Sequence, residues 1–168
     1  MTGKPEVYGR IYEALASGQK TLAELMAASE QQLPATLQAL SLMLNAGHVL
    51  PFAPCRNPKP AQALNRAMAE AASAGAPYAF VAAPAIGGVI QASDTDLLML
   101  AASTRSPLQP APIAEGLIQR LLGLGKGLKD GEQALTTADA MRPKALQLAE
   151  GFLAKTLPNW RRLGVVGG

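Results

Sequence analysis

The chain has 168 residues and a formal net charge of +3, from 15 basic and 12 acidic residues. That length suits one medium domain or two small ones, and the charge excess is too small to identify a nucleic-acid or membrane partner by itself. One cysteine and one histidine exclude an internal disulfide framework and a cysteine-based metal cluster.

Charged residues make up 16% of the chain, apolar residues 49%, and 32 residues are alanine, the best helix former. The composition favours a mainly helical protein whose low-charge surface a partner could cover. No apolar run reaches about 18 residues, so no transmembrane helix is expected. The opening MTGKPEVYGR lacks the apolar core of a signal peptide, so a cytoplasmic location is the default expectation.

In chain order, Val7, Ile11, Ala14 and Leu15 predict a helix over Val7–Ala16 that Gly18 ends. A short strand can follow at Gln19–Leu22. Thr21 and Glu24 form a capping-box pattern for the next helix, which carries Leu22, Leu25 and Met26 on one face. After a polar turn at Ser29–Gln32, Pro34 suits the first turn of another helix, in which Leu37, Leu40 and Leu44 recur with Met43 beside them. Gly47 stops that helix, and His48–Phe52 reads as an edge strand. Helix, turn, helix and strand is the order of a winged-helix unit, placed at residues 1–58.

Such a unit suggests DNA, and the charges oppose it. DNA affinity rests mostly on Lys and Arg contacting phosphates, and none lies between Thr21 and Cys55. Thr36, Gln38, Ser41 and Asn45 are the polar positions on the second helix of the pair. Gln and Asn can read adenine, but they have no phosphate anchors beside them. Arg56 and Lys59 lie in a Pro-rich connector, APCRNPKP, where a wing would sit, and two charges there suit a solvated linker.

The second unit is placed at residues 59–168. Ala61–Ala74 reads as a helix of small side chains. Tyr78–Ala92 reads as a hairpin turning at Gly87-Gly88. Ser93 caps a helix over Asp94–Ala102, which explains Asp94 and Asp96 as helix-start residues rather than catalytic acids or metal ligands. Ile113–Leu124 is an amphipathic helix. GLGKG, Gly123–Gly127, closes it, whereas a nucleotide turn follows a buried strand and opens a helix. The LKDGE after it reads as a loop. In the last run, Pro143 is expected to start a helix carrying Leu146, Leu153 and Leu157, with Ala149 and Phe152 beside them. Pro158 is expected to end it, and Trp160 to dock the tail onto the core.

His48 shows no triad spacing to a Ser, Cys or carboxylate. Cys55 lies outside any nucleophile motif, although Arg56 could lower its pKa. No catalytic, cofactor-binding or metal-ligating residue is assigned, and no cofactor. The expected fold is mainly α with short β segments: a winged-helix unit plus a helical unit built around one hairpin, 78–92.

The order of segments resembles a known family. NAGHVLPF, LNRA and AAPAIGGVI, within a match running roughly from Val7 to Val166, are similar to the regulatory and C-terminal winged-helix region of bacterial class I methyltransferases. Those enzymes are related to the protein-lysine methyltransferases that modify outer-membrane proteins. In that family the catalytic and cofactor residues lie in a preceding domain, so none is carried over. The resemblance implies a non-catalytic regulatory or substrate-recognition module of an S-adenosylmethionine-dependent methyltransferase. Its expected partners are the methyltransferase catalytic domain, in cis or in trans, and its protein substrate, without nucleic acid or membrane insertion. The alternative is a small winged-helix DNA-binding transcriptional regulator.

Overall fold

A computed structural model describes residues 5–53 and 55–167. The protein is mainly helical, with two small antiparallel hairpins. It divides into two compact units, Met1–Phe52 and Ala53–Gly168. The connector expected to close the first unit therefore lies with the second, where the Ala53 N–H donates to the Ala85 carbonyl (2.7 Å).

The first unit holds α1 (Pro5–Ala16), α2 (Leu22–Ser29) and α3 (Leu33–Asn45). Thr21 and Glu24 form the capping box. The Thr21 N–H donates to Glu24 Oε2 (2.7 Å), and the Glu24 N–H donates to Thr21 Oγ1 (3.3 Å). The Thr21 N–H, and after it the Thr21 hydroxyl donating to the same Glu24 Oε2 (2.8 Å), hold the Glu24 carboxyl below its usual range. The α2–α3 turn is made by Glu30 in a left-handed conformation, with an ion pair to Arg10. Ile11, Leu25, Ala39 and Met43 form the core, beside a buried Ser29–Thr36 pair. No strand forms among the described residues at Gln19–Leu22 or His48–Phe52. Thr21 is committed to the cap, and Val49 alone from the second run packs on the core. Among the described residues the unit is a three-helix helix-turn-helix, without the β-wing that the sequence suggested.

The second unit begins with α4 (Lys59–Ser73), then β1 (Phe80–Ala83) and β2 (Gly88–Gln91), paired with Val81 opposite Ile90. α5 (Asp94–Ser103) starts at the Ser93 cap that its sequence predicts, and Asp96 completes a capping box with it. α6 is Pro110–Gly123. A second hairpin, β3 (Leu128–Asp130) with β4 (Gln133–Leu135), occupies the segment expected to be a loop. α7 (Ala138–Gly151) is capped by Thr137, so Pro143 lies inside it rather than at its start. A π-helical turn, Phe152–Thr156, carries the chain into α8 (Leu157–Arg162). Pro158 therefore does not end the helix. The widened turn, in which the Leu157 N–H reaches the Phe152 carbonyl, gives the proline ring room.

α5 is buried along Leu97–Ala102 and packs against α4 and α6, and α6 packs against α7. Met141, Ala145 and Ala149 form the inward face of α7, while Leu146 is exposed. Trp160 is buried edge-to-face on Phe152, with centroids 5.9 Å apart. Asn65 is fully buried: its Nδ2 donates to the Ala82 and Val165 carbonyls, and its Oδ1 accepts from the Ala82 N–H. One side chain thus pairs both backbone groups of Ala82 on the outer edge of β1 and ties them to the C-terminal segment. No described helix is long and apolar enough to cross a membrane.

Candidate interaction surface

The two faces of α3 differ from the reading of its sequence. A helical turn of 3.6 residues puts Thr36, Ala39 and Met43 on one stripe and Leu33, Leu37, Leu40 and Leu44 on the next. The first stripe is the one that meets α1 and α2: all three residues are buried. On the second, Leu40 is half-buried, while Leu33, Leu37 and Leu44 are 43%, 44% and 42% exposed. Leu37 and Leu44, which the sequence shows recurring at helical spacing, are on the surface. The expected face of α2 changes similarly, since Leu25 is buried and Leu22 is 38% exposed.

The cause is the size of the unit. Short helices close approach one another through small residues, and Ala39 and the hydroxyls of Ser29 and Thr36 sit at the α2–α3 crossing. Leucines on the adjoining stripe have nothing in this unit left to cover them. Lone surface leucines need no explanation, but three in register on one helix do.

The base-reading positions fare differently. Thr36 is buried and cannot reach a base. Gln38, Ser41 and Asn45 are exposed beside the leucine stripe. Helix α3 itself carries no Lys or Arg.

The remaining candidates are each accounted for locally. His48 is exposed and stands edge-on to Tyr12, with ring centroids 6.0 Å apart. Cys55 is an exposed free thiol. Asp94 faces Lys126 at 3.6 Å, and Asp96 serves the cap of α5. In GLGKG, Gly125 (φ +64°) ends α6, with the Lys126 N–H on the Leu121 carbonyl and the Gly125 N–H on the Leu122 carbonyl. Gly127 lies against the Leu135 carbonyl, where a Cβ would collide. Gly87 turns the first hairpin at φ +63°. Among the described residues, no group of three or more His, Cys, Asp and Glu could hold a metal ion.

No family model, curated protein or solved structure matches the chain.

Proposed function

We propose that this chain is a non-catalytic regulatory or substrate-recognition module that docks on a protein partner through the leucine face of α3. The observation that carries this reading is that face: Leu33, Leu37 and Leu44 exposed in register on a helix with no basic residue. Burying a leucine side chain fully is worth about 1.5–3 kcal/mol, so three in one patch supply the apolar centre of a protein interface. The same helix offers phosphates no cationic side chain. The likeness of NAGHVLPF, LNRA and AAPAIGGVI to methyltransferase regulatory regions names the partner class: the catalytic domain of an S-adenosylmethionine-dependent methyltransferase, in the same polypeptide or another.

The test is a photo-crosslinking residue in place of Leu37 in the native cell. The expected adduct joins α3 to a methyltransferase catalytic domain, and Leu33→Asp with Leu44→Asp abolishes it. Adducts to an unrelated protein would overturn the partner. Tight duplex DNA binding at low salt that falls steeply as salt rises would overturn the reading and favour a DNA-binding regulator.

A further inference from the structure

The second unit holds a cleft of about 310 Å³ that the proposed docking face does not use. A volume near 300 Å³ is at the small end of ligand sites. Two helices present it with the same i, i+4 arrangement: Gln62 and Arg66 from α4, Leu157 and Arg161 from α8. The end of α5 contributes the buried Leu100 and the hydroxyls of Ser103 and Thr104. α8 follows the π turn and lines the cleft with the buried Leu157 and the exposed Arg161.

The charged side chains in the described lining of this cleft are all of one sign. Its described lining contains no Asp or Glu. Among the described residues neither Arg66 nor Arg161 is in an ion pair, whereas Arg10, Arg105 and Arg142 are. The acidic residue one turn from Arg66, Glu70, is taken by Arg105 Nη2 at 2.7 Å. No Asp or Glu side chain occurs between Gly151 and Gly167, the stretch around Arg161. The hydroxyl protons are also committed: Ser103 Oγ donates to the Leu100 carbonyl (2.7 Å) and Thr104 Oγ1 to the Ala101 carbonyl (2.9 Å). The donors left to a ligand are two guanidiniums and the Gln62 amide, beside an apolar floor of Leu100 and Leu157.

The geometry points to a binding site for a small carboxylate carried on an apolar body. Guanidinium forks pair with a carboxylate through two parallel bonds, and the leucine floor takes the hydrocarbon. The site is independent of the α3 face, so either can fail without the other.

The experiment is a titration of the full chain followed by backbone amide NMR, with hexanoate as the probe. Hexanol, hexylammonium and inorganic phosphate are run beside it. Hexanoate is expected to give saturable shifts at Gln62, Ser103, Thr104 and Gly167. Arg66→Gln and Arg161→Gln each weaken its binding roughly tenfold, the size of one lost charge-assisted hydrogen bond. Arg162→Gln, outside the lining, leaves it unchanged. Hexanol binding as well as hexanoate would overturn the charge requirement. Phosphate binding more tightly than hexanoate would overturn the apolar requirement. Equal losses in all three arginine variants would mean diffuse attraction and would sink the site.

Discussion

At the scale of single residues, Asn65 decides more than any group the sequence put forward as chemical. A buried side-chain amide that leaves a donor or acceptor unmet costs about 1–3 kcal/mol per group. Asn65 has none unmet: its three bonds, 2.7–2.9 Å long, pair both polar groups of Ala82 and the Val165 carbonyl. At Ala82 it does for β1 what a neighbouring strand would do, pairing an N–H and a carbonyl on an outer edge. Asn65→Ala leaves three backbone groups without this partner, the Val165 carbonyl buried and the two of Ala82 partly so. The expected loss is about 3–4 kcal/mol in urea unfolding of the full chain. Asn65→Asp is expected to lose nearly as much, because its carboxylate cannot donate to the two carbonyls. If either variant unfolds within about 1 kcal/mol of the wild type, Asn65 is not the tie described. Nothing in the sequence around Asn65 marks it, since its partners lie 17 and 100 residues away.

At the scale of elements, GLGKG gives three glycines with three different jobs. Gly123 is the last residue of α6 and has open space where a Cβ would go. Gly125 holds the left-handed stop. Gly127 lets the Leu135 backbone approach, with the carbonyl carbon 3.1 Å and the Thr136 Cα 3.4 Å from an added Cβ. Backbone cannot turn aside as a side-chain tip can, so Gly127→Ala opens the β3–β4 pairing or shifts the helix stop. It is expected to cost about 1–3 kcal/mol, with faster amide exchange at Lys129 and Ala134. Gly123→Ala is neutral or stabilising by up to about 1 kcal/mol. Equal effects from the two would mean that the motif is not divided in this way. The sequence showed that GLGKG ends a helix, and the helix starts at Thr21 and Ser93 were equally legible, because caps are local chemistry. The β3–β4 hairpin was not, since its strands are three residues each and show little alternation. Pro143 and Pro158 misled for a related reason. A proline removes one N–H from a helix, and packing of Met141, Ala145, Phe152 and Trp160 on either side outweighs that loss.

At the scale of the whole molecule, the two units differ most in how much core each owns. Among the described residues, four buried apolar side chains hold the first unit, against twenty-seven in the second. The leucine surface of α3 follows from that difference, because a unit this small cannot cover every apolar stripe it presents. Helical periodicity could locate the leucines of α3, but not decide which of two adjoining stripes turned inward. The cleft was less legible still, as Arg66 and Arg161 stand far apart in the chain and form no motif. The difference in core predicts an order of unfolding. Stability tracks buried apolar area, so the first unit should open at lower free energy than the second. Hydrogen exchange of the full chain, read by mass spectrometry in rising urea, is expected to show residues 5–52 losing protection first. Peptides from α5 and α6 should stay protected to the global transition. A partner seated on α3 raises protection in the first unit by RT ln(1 + [partner]/Kd) and leaves the second where it was. A single transition shared by both sets of peptides, with no partner present, would show that the first unit draws its stability from outside its own core.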